Sequence, residues 1–173
     1  NISGYSDLNQ FKLKSKPKVI KTFKLENHIS KIKKSNAKLI FCIGWPRIIK
    51  SEILNLQNVM KIGFHSSLLP KYRGGAPVNW GLINNEKKWG GTLMSLGEGL
   101  DEGDIILQEK FAIGLNDNCR TVYLKLAASL VVLLEKFNKL YNKNKIIFFK
   151  KNNNKKTLYP KRRPSDGLID WNL

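Results

Sequence analysis

An α/β fold built around a mostly parallel sheet is predicted by three features of the 173-residue chain. Short apolar runs recur, the clearest being Ala37–Gly44 (AKLIFCIG), which is continuous, as expected of a strand buried on both faces. Segments of helical period separate these runs, above all Thr121–Leu140, where Val122, Leu126, Leu130, Leu134 and Phe137 share one face. Gly-, Pro- and Ser-rich loops join them, and strands alternating with helices define this class.

The elements follow in order. Lys18–Phe23 reads as a short strand and Asn27–Asn36, studded with lysine, as a surface helix. After the Ala37–Gly44 strand, Pro46 breaks the chain and Ser51 stands where the N-cap of a short helix belongs, ahead of Glu52, Ile53 and Leu54. Ile62–His65 is a second short strand. Pro77 suits the first position of a helix running to Asn84, whose Val78, Leu82 and Ile83 share a face. Gly91–Leu96 and Ile105–Ala112 are strands around a Gly- and acid-rich turn. Asp117 or Asn118 starts the long helix, and Ile146–Lys150 is a last strand before the polar run Lys151–Thr157.

Composition narrows the function. The 42% hydrophobic content excludes a disordered basic tail. No stretch reaches the roughly 20 apolar residues of a membrane span. Two cysteines, Cys42 and Cys119, make neither a disulfide scaffold nor a four-cysteine zinc site, and two histidines, His28 and His65, leave no histidine metal cluster. The net charge of +18 is uneven: residues 1–40 carry +8, residues 41–135 only +1, and residues 136–163 carry +11. Basic flanks attract polyanions such as RNA, but they lack the interleaved aromatics of an RNA-binding module. Compositional bias is the simpler account of them, and the basicity alone names no partner.

Chemistry is expected in the loops at the carboxyl ends of strands. His65 ends one strand and is followed by Ser66-Ser67-Leu68-Leu69-Pro70-Lys71-Tyr72-Arg73-Gly74-Gly75-Ala76-Pro77. An imidazole suits acid–base work near neutral pH. The turn Gly97-Glu98-Gly99-Leu100-Asp101-Glu102-Gly103-Asp104 offers carboxylates, and a buried Asp beside a His would orient the ring and raise its pKa. From spacing alone, His65 is equally a satisfied loop histidine, and Asp101 or Asp104 a turn cap.

The segment GFHSSLLPKYRGGAPVNWGLINNEKKWGGTLMSLGEGLDEGDIILQ resembles the catalytic core of formyltransferases that use 10-formyltetrahydrofolate. The nearest in motif are the methionyl-tRNA formyltransferases and the nucleotide-amino-sugar N-formyltransferases. The likeness runs from about Ala37 to Trp171 and includes Tyr159-Pro160-Lys161-Arg162-Arg163-Pro164-Ser165-Asp166-Gly167-Leu168-Ile169-Asp170-Trp171. It implies a Rossmann-like domain whose first strands are missing, over residues 1–155, with residues 156–173 a linker and the start of a C-terminal subdomain. It implies that His65 takes a proton from an acceptor amine attacking the formyl carbon, and that Asp101 holds that histidine and raises its pKa. It places the folate on Arg47, Ile48 and Ile49, on Ser67, Leu68, Leu69 and Pro70, and on Gly97, Glu98, Gly99 and Leu100. The implied acceptor is methionyl-tRNA or a nucleotide-linked amino sugar, in a cytoplasmic enzyme with neither metal nor membrane attachment. Pro77-Val78-Asn79-Trp80 and the Arg162–Gly167 run lean to the sugar type, the basic flanks and Met94–Gln108 to the tRNA type.

Two departures stand out. The family reads Asn-x-His, its Asn stabilising the oxyanion, where this chain has Gly63-Phe64-His65. Loss of one such donor typically costs about a hundred- to a thousand-fold in rate. A backbone N–H, a water or the Ser66 hydroxyl could replace it; the other reading is a catalytically silent binding module. Gly75 stands where some sugar-modifying relatives carry an Arg.

Overall fold

The computed structural model describes Ile20, Thr22 and residues 24–171. The expected strand Lys18–Phe23 therefore lies largely outside the described residues, and neither Ile20 nor Thr22 has regular structure.

A turn of 3-10 helix, Leu25–His28, leads into α1 (Ile29–Lys34), the lysine-rich surface helix expected there. Then follow β1 (Leu39–Ile43), α2 (Ser51–Leu54), β2 (Met60–His65), β3 (Arg73–Gly74), α3 (Pro77–Ile83), β4 (Lys88–Ser95), β5 (Ile105–Ala112), α4 (Cys119–Asn142) and β6 (Leu158–Tyr159). The main sheet has the order β1-β2-β4-β5. β1 and β2 run parallel, joined through α2, whereas β2–β4 and β4–β5 are antiparallel. Among the described residues the sheet is therefore mixed, its parallel part on the β1 side. The Gly- and acid-rich turn is too short for a crossover helix, so β4 and β5 can only form a hairpin. β3 and β6 make a separate parallel pair, Arg73 opposite Leu158 and Gly74 opposite Tyr159.

Strand position decides burial. β4 is central, and Trp89 through Met94 are all buried. β1 is the outer strand among the described residues, and its Phe41 and Ile43 are exposed, against the expectation of burial on both faces. Phe41 still meets Phe137 of α4 edge-on at 5.2 Å. The run Ile146–Lys150 is not a strand: only Phe149 pairs, in one bridge to Ile105. Its Ile147 and Phe148 face solvent, so no apolar face draws the run into the sheet.

The long helix starts where an Asn can cap it. Asn118 accepts from the Thr121 N–H at 3.1 Å, and Thr121 Oγ1 accepts in return from the Asn118 N–H at 2.9 Å, closing two of the helix's free donors. Ser51 plays no such part in α2; it is the first helical residue, and Lys50 holds the cap position. One face of α4 buries Val122, Leu126, Ser129, Leu133 and Phe137. Leu133 and Phe137 join Ile62, Leu93 and Ile106 in one core cluster, while Val122 and Leu126 join Tyr72, Val78 and Trp89 in another. α4 thus ties both halves of the core together. α3 turns Val78 inward as expected, but Ile83 lies on its exposed side. Cys42 and Cys119 are free thiols. Among the described residues, no helix is long and apolar enough to cross a membrane.

Candidate active site

His65 closes β2, paired with Thr92 of the neighbouring β4, so the sheet fixes its backbone. Its side chain is nearly buried and makes two polar contacts. Nδ1 lies 3.3 Å from Asp101 Oδ1. Nε2 lies 2.7 Å from the Tyr72 carbonyl, which only accepts, so this contact requires a proton on Nε2. Both ring nitrogens thus face oxygens.

The carboxylate is held as firmly. Asp101 Oδ2 accepts from the Gly74 N–H at 2.9 Å. Arg73, itself buried, reaches Glu102 Oε1 at 3.3 Å. Asp101 sits at φ +52°, a left-handed backbone that is uncommon outside glycine but tolerated by Asp. Gly103 lets the turn lie flat on β4: a Cβ there would stand 1.6 Å from the Ser95 carbonyl oxygen.

The pair borders a cleft of about 660 Å³, within the range of small-molecule sites. Arg47, Ile48 and Ile49 line it, together with Gly97, Glu98, Gly99 and Leu100. Ile48 and Leu100 present exposed apolar side chains at the mouth. Tyr123, Leu126 and Leu130 of α4 supply a wall that the motifs gave no hint of. Ser67, Leu68, Leu69 and Pro70 do not line this cleft. Ser67 Oγ donates to the Lys71 carbonyl, the Leu69 N–H donates to Thr92 Oγ1, and Gln108 donates to the Leu69 carbonyl. With Ser67 and Leu69 buried, these bonds make the stretch a support behind His65.

Both departures have a physical face. A Cβ on Gly63 would meet Leu96 Cδ2 at 2.6 Å, so a leucine branch occupies the space of a side chain there. A Cβ on Gly75 would meet the Lys161 Cα at 2.5 Å. The backbone of residue 161 crosses at that point, and Lys161 itself joins the cleft lining.

Two groups carry perturbed protonation near the site. Burial pushes the Lys151 amine down to about 8, the neighbouring Arg73 charge adds to this, and Asp101, Asp104 and Glu102 oppose it. Burial and a bond to Glu86 push the Tyr72 phenol up to about 12. The sequence reading passed over both: Tyr72 stands in the loop after His65 without a role assigned to it, and Lys151 lies outside both loops.

Residues 10–134 match the sequence profile of the family described as formyl transferase. A methionyl-tRNA formyltransferase of Thermodesulfovibrio yellowstonii is 38% identical over 148 residues, covering 85% of this chain and 47% of its own length. The bifunctional polymyxin resistance protein ArnA of Wigglesworthia glossinidia brevipalpis is 36% identical over 156 residues, 90% of this chain and 23% of that protein. The chain thus spans about half the length, or less, of these curated relatives. Among solved structures, the N-formyltransferase from Helicobacter canadensis in complex with folinic acid and dTDP-3-aminofucose is 31% identical, with a TM-score of 0.63, covering 69% of this chain and 44% of that one. HypX from Aquifex aeolicus in complex with tetrahydrofolic acid shares the fold at a TM-score of 0.75 and 17% identity, over 84% of this chain and 25% of that one.

Proposed function

Because this chain belongs to the formyl transferase family, we propose that it moves a formyl group from 10-formyltetrahydrofolate to a primary amine. The observation that carries the reading is the His65–Asp101 pair, nearly buried and at the edge of a cleft of small-molecule size. The cleft suits a flat heterocycle with a polar tail: Ile48, Ile49, Leu96 and Leu100 offer apolar surface, and Arg47 and Lys161 stand among the lining residues. When bound, the folate supplies an activated one-carbon group.

The work of this chain's own residues is proton handling and positioning. An amine becomes a better nucleophile as it loses its proton, and His65 is the group placed to accept it and to return it to the donor nitrogen, whose bond to the formyl carbon breaks as the new carbon–nitrogen bond is made. Asp101 on Nδ1 and the Tyr72 carbonyl on Nε2 stabilise the ring once it holds both protons. One of these two contacts must open for the incoming proton. Negative charge gathers on the formyl oxygen as the amine adds, and Ser66, a cleft-lining residue, is a candidate to donate there in place of the amide absent at Gly63.

The acceptor is the amine of methionyl-tRNA or of a nucleotide-linked amino sugar. Both classes occur among the relatives, as the methionyl-tRNA enzyme and the aminofucose complex. The full chain, incubated with labelled 10-formyl donor and each acceptor in turn, is expected to label one of them. Transfer to neither removes the enzyme reading. It would leave a second one, a folate-binding module without turnover, which Leu96 filling the space beside Gly63 favours.

A further inference from the structure

Beyond α4 the chain returns to the site and touches it twice, with residues outside the 10–134 stretch that matches the family. At Phe149 two backbone bonds to Ile105, of 2.9 and 2.8 Å, bring the chain alongside β5. Two residues later, half-buried Lys151 donates from Nζ to the Asp101 carbonyl at 2.6 Å, with Met94 Sδ at 3.8 Å. The second return is at Thr157. Its Oγ1 accepts from the Tyr72 N–H at 2.8 Å, its own N–H donates to the Pro70 carbonyl at 3.4 Å, and its carbonyl accepts from the Arg73 N–H at 3.0 Å. Tyr159 then stacks on the Tyr72 ring at 4.9 Å.

These two contacts reach the two residues that hold the His65 ring. Asp101 faces Nδ1 and Tyr72 faces Nε2. Both are left-handed, at φ +52° and +57°, a conformation that costs energy in a non-glycine residue and persists where its surroundings over-determine it. We infer that the segment from Lys151 to Tyr159 is a clamp that positions the His65 ring, with Lys151 a positioning residue on the Asp101 side and Thr157 on the Tyr72 side. Its catalytic consequence rests on the reading of His65 as the base. The ring geometry does not.

The test reads the ring directly. The full chain with 15N-labelled histidine gives two imidazole signal sets, from His28 and His65, and a His65→Gln spectrum assigns them. Lys151→Met is expected to move the His65 Nδ1 resonance and leave Nε2 in place. Thr157→Val is expected to do the reverse, and Lys151→Arg to restore Nδ1. Turnover is expected to fall about 10- to 100-fold in Lys151→Met and Thr157→Val, as for a slightly misplaced catalytic group, at unchanged KM for the folate donor. Where Met or Val prevents folding, Lys151→Ala and Thr157→Ala take their place. Unmoved ring signals in folded variants overturn the clamp, as do equal shifts of both nitrogens in both variants, the mark of general loosening. The ring signals are read without transfer chemistry, so an inactive wild type would remove the enzyme reading and leave this result standing.

Discussion

Gly63 is the residue whose replacement says most about turnover. A Cβ there meets only the far end of Leu96 closer than 3.0 Å, with Met94 Cε at 3.4 Å. A flexible side-chain tip can yield where a backbone cannot. Gly63→Asn combined with Leu96→Ala is therefore expected to fold and to raise the rate of formyl transfer by about tenfold or more, given what one oxyanion donor supplies. An unchanged rate in single-turnover assays would show that another donor already fills the role. Tyr72 gives a test by pH. Its phenol, ordinarily at 10, is pushed up to about 12 by burial and by its bond to Glu86. The folded chain keeps this proton where the unfolded chain has lost it. Stability from this group is thus full below pH 10 and lost as pH rises through about 12. Phenolate absorbance is expected to show one tyrosine titrating last, and Tyr72→Phe to remove it together with its share of the alkaline loss of stability.

α4 carries the greatest structural weight among the elements. Removing its cap with Asn118→Ala is expected to cost about 1 kcal/mol, and Leu133→Ala, at a fully buried position, about 2–5 kcal/mol. Denaturant melts check both. The elements also show what a linear reading captures. The 24-residue α4 was legible because its apolar period persists over several turns, and β5 because its ends are marked by a Gly-rich turn and by Gly114. β1 looked doubly buried because a run of Leu, Ile, Phe and Cys does not record whether the strand has a neighbour on each side. Ile146–Lys150 looked like a strand for the same reason: β propensity reports a fit to a sheet surface, not that the surface is there to receive it.

At the scale of the whole molecule, the parts that motifs marked and the parts that hold them in place are different stretches of chain. His65 and Asp101 were legible because reactive side chains recur in a fixed order with their loops. The Tyr72 carbonyl was not, since every residue has one and only the left-handed turn aims it. Lys151 was not, because a lysine in a flank of +11 looks like its solvated neighbours until the fold bends it onto Asp101. The charge follows the same division: the cleft is built mainly from the nearly neutral middle of the chain, and the basic stretch after α4 contributes Lys161 to its lining.

Under the proposed function, His65 accepts the proton of the attacking amine. This role is tested most directly by single-turnover transfer from labelled 10-formyltetrahydrofolate to the accepted amine, comparing the wild type with His65→Ala at equal folate occupancy. The expected result is a loss of about a hundred- to ten-thousand-fold, the contribution of a positioned general base, with folate affinity retained. Transfer at the wild-type rate in a folded, folate-binding His65→Ala variant would contradict it.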